Sequence, residues 1–246
     1  MTHALFFTAY DRADYLRQTL SSWRNVRGLD RWHIVARVEP GPRAEDMCTQ
    51  FRIFFETMGL TDTEIIVNPT VYGVLHHPYV GFSELFQDYD FVVRTEDDLI
   101  VSDDILEYFE WAEETYRRRR DIATIHGFSR GVGENDEIYT IPEFNPWVWG
   151  TWKSLWMTTI GPLWDHNYST FNRFPGFQSG WDWNLNTRLF PKYGYRGVYP
   201  LNSRVDNIGV YGVHGSPDNH EKAEFFDLVH GTVVYRELAI EKVDIP

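Results

Sequence analysis

Phe91-Val92-Val93-Arg94-Thr95-Glu96-Asp97-Asp98-Leu99-Ile100 sets three carboxylates at the end of an apolar, β-branched run. Such a run reads as a buried strand. Carboxylates at its end cannot stay buried and unpaired, because an isolated buried charge needs a cation, a metal or water. In an α/β sheet, the carboxyl ends of strands are where ligands bind. The triplet therefore belongs at the mouth of a site, facing a hard divalent ion that takes oxygen ligands.

On either side of this strand the chain alternates strand-like and helix-like segments. Ala4-Leu5-Phe6-Phe7-Thr8-Ala9 is a second buried strand, broken at Tyr10-Asp11-Arg12. Tyr15, Leu16, Leu20 and Trp23 then recur at helical spacing, predicting a helix over 13–23. A strand over 32–38 ends in the turn Glu39-Pro40-Gly41-Pro42. A helix over 45–58, a strand over 64–67 and a helix over 80–86 lead to the triplet's own strand over 91–95. Beyond it, Ser102-Asp103-Asp104 opens a helix running to about residue 119, and a strand follows over 122–128. This alternation predicts an α/β fold with a mostly parallel central sheet flanked by helices. After Gly131, Gly, Pro, Asn and aromatics dominate, interrupted by a helix over 153–160. Residues 1–130 and 131–246 are thus expected to be two halves packed as one domain.

At 246 residues the chain can bury a substantial core. Its aromatic fraction of 17%, with 10 Trp, 14 Tyr and 17 Phe, fits either stacking on flat faces such as sugar rings and bases, or core filling. A net charge of −13 repels polyanions, which argues against non-specific nucleic-acid binding. The basic run Arg117-Arg118-Arg119-Arg120 reads as a solvated helix end. Cys48 is the only cysteine, so no intrachain disulfide forms, which suits a reducing compartment. With no apolar run of transmembrane length and no signal pattern at Met1-Thr2-His3, a soluble cytoplasmic protein is expected.

Three strand ends converge on one rim of such a sheet: Asp11-Arg12, Glu39 and Glu96-Asp97-Asp98. Arg12 suits a phosphate, Glu39 an acceptor for a base or ribose, and Asp98 a metal bridging two phosphates. That is a nucleotide-diphosphate site without a Gly-rich loop, since neither a Walker nor a dinucleotide fingerprint is present.

Glu96-Asp97-Asp98-Leu99, followed by Asp103, Asp104 and Tyr108-Phe109, resembles the metal-binding motif of N-acetylglucosaminyltransferase I and its relatives. Ala9-Tyr10-Asp11-Arg12 is similar to that family's nucleotide-meeting first strand end. Ser203-Arg204, Gly209, Gly212-Val213 and His214-Gly215 look like its loop that closes over the donor. The resemblance runs in consistent order over residues 4–216. It implies a GT-A, Rossmann-like fold and an inverting glycosyltransferase that uses Mn2+ or Mg2+ and a UDP-sugar, the family's sugar being N-acetylglucosamine. It makes 1–130 the nucleotide-sugar half and 131–246 the aromatic-rich acceptor and catalytic-base half. Asp98 becomes the metal ligand; Asp11, Arg12, Glu39, Glu96, Asp97, Arg204 and His214 become donor contacts. The family's base lies in a Trp-Asp segment before a helix, which Trp181-Asp182-Trp183 matches, so Asp182 is the candidate base. This segment is a residue shorter than the family's form. The membrane anchor and stem of Golgi members are also missing, which predicts a soluble version.

Plainer readings stand beside these. Asp98 would otherwise be a solvated turn, Asp182 a helix-start carboxylate and His214 a loop histidine. His76-His77 is a poor metal pair, because adjacent side chains point apart. Trp149 and Trp181, like Trp147 and Trp152, are either an acceptor platform or core. The acceptor hydroxyl is open among a glycan, a protein, a small molecule and a modified base. A nucleotide-sugar-binding protein without turnover is the alternative; a nucleotidyltransferase would want a triphosphate loop that Thr8-Ala9-Tyr10-Asp11 does not offer.

Overall fold

The computed structural model describes residues 1–131, 137–166, 180–209 and 236–237. Strands β1 (His3–Ala9), β2 (His33–Val38), β3 (Thr63–Val67) and β4 (Phe91–Glu96) pair in parallel in the order β3-β2-β1-β4. Helices α1 (Ala13–Trp23), α2 (Ala44–Met58) and α3 (Gly73–Leu85) connect them. Beyond β4 the sheet continues through β8 (Trp149–Trp152), β6 (Ile122–His126), β9 (Arg196–Pro200), β7 (Glu137–Ile141) and β11 (Arg236–Glu237), nine strands in all. Strand β8 runs antiparallel to both β4 and β6, so β6 again points the same way as β4. A separate antiparallel ribbon pairs β5 (Leu99–Val101) with β10 (Val205–Asn207).

Strand alternation divides the core between the two faces. Leu5 and Phe7 of β1 pack with Leu16, Leu20 and Trp23 of α1, Phe51 of α2, and Ile105 and Phe109 of α4 (Ile105–Tyr116). Ala4 and Phe6 face the other way, onto Phe82 of α3 and an aromatic group formed by Trp149, Trp156, Trp164 and Trp181. Trp156 opens a π-helical turn, Trp156–Ile160, that continues α5 (Lys153–Leu155). Trp181 opens α6 (Trp181–Asn184), which passes through a second π turn, Leu185–Leu189, into α7 (Phe190–Tyr193). No helix among the described residues is long and apolar enough to cross a membrane.

The expected α/β architecture is the one found. Helix α3 departs from the reading: it begins at Gly73, although the sequence predicts helix only over 80–86. Pro78 lies inside it, lacks an N–H and masks the pattern. Helix α4 stops at Tyr116, short of the expected 119, and β6 stops at His126 because the Gly127 amide turns to the Val148 carbonyl at 2.8 Å.

Phe82 is wholly buried, with ring centroids 4.5 Å from Trp149, 4.8 Å from Trp156 and 4.9 Å from Phe6. Phe82→Ala should cost about 3–5 kcal/mol in urea denaturation; a loss below about 1 kcal/mol would mean α3 is not pinned through this ring. His126, also wholly buried, bonds Thr124 Oγ1 at 2.7 Å and the Asn145 carbonyl at 2.9 Å. Burial holds its pKa down at about 3, against about 6.5 when unfolded. Between those values the unfolded chain binds more protons, so this stability is complete above about pH 6.5 and drains as pH falls toward about 3. Stability should therefore fall less steeply between about pH 7 and about pH 5 in His126→Gln than in the wild type.

Candidate functional site

The parallel register Thr8↔Glu96 brings the residues leaving β1 beside those leaving β4. These strands flank the point where sheet order reverses, β2 and β3 lying to one side of β1 and β4 to the other. Crevices at such points take ligands in open α/β sheets. Helix α1 starts directly after Arg12, which leaves that side chain at the rim with 30% of its surface exposed. Its Nη1 donates to Asp98 Oδ2 at 2.5 Å, and its Nη2 donates to Asp97 Oδ1. The other Asp97 oxygen accepts the Tyr10 amide at 3.0 Å, so Asp97, 1% exposed, has both oxygens engaged.

Asp98 differs. It is 6% exposed, and its Oδ1 is buried without a hydrogen-bond partner among the described residues. Burial and the neighbouring charge of Glu96 raise its pKa, with Arg12 pulling the other way. Burial raises Asp97 as well, against the Arg12 charge and the Tyr10 amide. The Arg12 charge is itself disfavoured by burial, but Asp97, Asp98 and Glu96 outweigh that and raise its pKa. Glu96 is partly exposed and pairs with Arg94 at 3.2 Å. Asp11 is exposed at the same rim.

The ribbon supplies a further wall. Asn207 of β10 pairs with Leu99, and the Ile208 amide donates to the Asp98 carbonyl at 3.0 Å. Gly209 donates to Asn207 Oδ1 at 2.7 Å and lies so close that an added Cβ would run into Asp98 Oδ2. Arg204 sits behind this wall, fully buried. It pairs with Asp104 at 3.3 Å, donates to the Asn202 carbonyl at 2.8 Å and lies over the Tyr108 ring. Its position holds the ribbon against α4 and leaves it no exposure at the rim. His214, with Gly212-Val213 and Gly215, lies outside the described residues.

Glu39 leaves β2 beside Ala9 but turns toward α3. Buried to 2% exposure, it accepts the amides of Tyr72 at 3.0 Å and Gly73 at 2.7 Å, and the Asn68 amide group at 3.1 Å. A carboxylate at a helix start satisfies orphan N–H groups and opposes the dipole, which is why α3 begins at Gly73. His77 Nδ1 stands 3.4 Å from Glu39, and burial together with Arg94 and Arg37 lowers its pKa to about 3.

Asp182 stands half-buried in the first turn of α6. The residue before it, Trp181, stacks on Trp164 at 4.7 Å and Trp149 at 5.7 Å. The Arg94 guanidinium lies 5.6 Å from the Trp181 ring centroid. Arg94, which the sequence reading passed over, therefore touches both Glu96 and the helix that carries Asp182. A buried cation inside an apolar strand run was the available signal. The acceptor platform expected of Trp149 and Trp181 is corrected: at 0% and 3% exposure they are core, their faces covered by neighbouring rings. Trp183, 44% exposed, is the solvent-facing aromatic beside Asp182. Val148 carries a φ of 43°, unusual strain for a β-branched residue, where the chain turns from half-buried Trp147 into β8.

Among the described residues, no three His, Cys, Asp or Glu side chains converge as a cation cage. The unpartnered Asp98 Oδ1 nonetheless suits a divalent ion of the kind held through one or two carboxylates, with substrate phosphates and water completing the shell.

No protein-family model matches the chain, and no curated protein matches it by sequence. Solved structures do. TarS 1-349 of S. aureus superposes with a TM-score of 0.57 at 11% identity, over 83% of this chain and 59% of that one. The mannosyltransferase PcManGT from Pyrobaculum calidifontis, in complex with GDP-Man and Mn2+, gives 0.57 at 13% identity, over 80% of this chain and 54% of that one. GalNAc-T7 with UDP, GalNAc and Mn2+ gives 0.61 at 11% identity, over 88% of this chain and 44% of that one. The chain thus spans about half the length of these proteins. The narrower resemblance to N-acetylglucosaminyltransferase I rests on sequence motifs alone. At such identities the likeness speaks to architecture, and it agrees with the strand order and crevice described above: this chain has the GT-A fold.

Proposed function

We propose that this chain is a metal-dependent, inverting glycosyltransferase that moves a sugar from a UDP-sugar to an acceptor hydroxyl. The observation that carries this reading is the rim constellation of Arg12, Asp97 and Asp98, with its open carboxylate oxygen, at the switch point of a GT-A sheet. The Mn2+ and the UDP or GDP-Man held by the similar structures support the same ligand classes. N-acetylglucosamine is the donor sugar that the motif resemblance favours. The lone, buried Cys48 suits a reducing, cytoplasmic setting.

In this reading Asp98 would hold Mn2+ or Mg2+, its Oδ1 being the oxygen left without a partner among the described residues. The ion, when bound, neutralises charge on the departing diphosphate. Arg12, already at the rim, adds its guanidinium to the diphosphate, and planar guanidinium suits such oxygens well. Asp97 acts through Arg12, which it holds in place. Glu96, aligned by Arg94, orients ribose or sugar hydroxyls, and Asp11 and His214 complete the donor contacts. Glu39 and Arg204 act from behind, fixing α3 and the ribbon. Asp182 takes the proton of the acceptor hydroxyl as that oxygen bonds to the anomeric carbon. The anomeric carbon–oxygen bond to the diphosphate breaks on the opposite face, its electron pair leaving with UDP. Holding both reactants in line supplies much of the acceleration.

A thermal-shift panel of nucleotide sugars with and without Mn2+ tests the donor, since a ligand that binds the native state raises its apparent stability. A metal-dependent shift by a UDP-sugar is expected; no shift by any nucleotide sugar would sink the reading. Metal-dependent release of UDP should follow, and Asp98→Ala should abolish it. Donor binding without release or transfer would favour a binding protein instead. Asp182→Asn should keep donor affinity and lower turnover by about 10²–10⁴-fold. Wild-type turnover in that variant would remove Asp182 from the role of base.

A further inference from the structure

We infer that Arg12 is an internal cation that competes with the metal for Asp98 in the resting site and yields it when a diphosphate draws the guanidinium away. This rests on reading Asp98 as the metal ligand, and it adds an order to the binding events. Arg12 Nη1 holds Asp98 Oδ2 at 2.5 Å while Nη2 holds Asp97, so one guanidinium spans both carboxylates. Such two-armed pairs are among the stronger hydrogen-bonded contacts. A divalent ion arriving at Asp98 Oδ1 meets a carboxylate whose other oxygen is taken and whose neighbouring charge is already compensated. Asp97 offers no relief, because both its oxygens are engaged. Gly209 walls the Oδ2 side so closely that a Cβ would clash there, so the carboxylate has little room to turn both oxygens toward the ion.

The arm is reachable from solvent. Arg12 is 30% exposed, and the face of Tyr15, on the next turn of α1, lies 5.9 Å from its guanidinium carbon. A diphosphate at the rim offers the guanidinium fork several charged oxygens in place of the two carboxylate oxygens it holds at rest. Moving the guanidinium onto it exposes Asp98 for the ion, and the ion then shares the same diphosphate. Metal and nucleotide must therefore strengthen each other's binding by the same factor, because coupling between sites is reciprocal.

The test is a titration with Mn2+ alone, followed by free-ion electron paramagnetic resonance, on wild type, Arg12→Gln and Arg12→Lys, with Asp98→Asn as the control that removes the ligand. The wild type should bind Mn2+ weakly, and Arg12→Gln about ten-fold tighter. Adding UDP should tighten Mn2+ binding about ten-fold in the wild type, within the usual range for coupled sites, and much less in Arg12→Gln. A cooperatively folded Arg12→Gln that binds Mn2+ no tighter than wild type overturns the inference. If the Gln variant does not fold, Arg12→Lys decides: its single ammonium spans one carboxylate at a time, so tightening is expected and unchanged affinity overturns. Tightening without binding of any nucleotide sugar would leave the latch standing and remove the donor reading. Metal-dependent turnover of a UDP-sugar with no tightening would do the reverse.

Discussion

The register Thr8↔Glu96 between β1 and β4 is the constraint on which the rest of the site depends. It sets the end of the first strand level with the acidic end of the fourth. Arg12 therefore reaches Asp97 and Asp98 without any intervening loop. A parallel strand slipped by one residue would turn Phe6 and Phe7 to opposite faces and take both aromatic cores with it. The same alternation that buries Leu5 and Phe7 on one face and Ala4 and Phe6 on the other thus fixes the polar rim. Packing, not attraction among the charges, places the charges.

Once placed, each charge is held by a different partner. Asp97 is bonded at both oxygens and serves as a fixed anchor; Glu96 leans on Arg94; Glu39 is spent on the start of α3. Asp98 alone of the triplet keeps a buried oxygen without a partner. Leaving such an atom unsatisfied costs roughly 1–3 kcal/mol, a cost with no structural return in the fold described here. An oxygen maintained at that cost beside an exposed arginine is better explained by a ligand than by stability.

The elements of the first half were legible because their patterns are local. Buried apolar runs marked β1, β2 and β4, and helical spacing marked α1 to its last residue. What stayed hidden depended on distant partners. Helix α3 could not be read back to Gly73 because Pro78 masks its pattern and its first amides are satisfied by Glu39, a residue far earlier in the chain. Arg204 looked like a donor contact because its pairing with Asp104 joins residues a hundred positions apart. Trp149 and Trp181 looked like a platform because composition counts aromatic rings but does not say which face of a sheet they cover. That the acidic triplet ends a buried strand at a sheet rim was legible, because the apolar run before it is local. Which oxygens Arg12 holds was not, because that depends on a side chain reaching across from β1.

Arg94 joins the two halves of the candidate site. It emerges from β4, takes a hydrogen bond position against Thr8 of β1 at 3.0 Å, pairs with Glu96 and underlies Trp181. A charge this buried needs all of those partners, since removing one leaves a desolvated cation. Glu96 at the rim, Thr8 in β1 and the Trp181 ring share that one guanidinium. Asp182 follows Trp181 in the same helical turn. One side chain thus contacts both Glu96 at the rim and the ring that precedes Asp182.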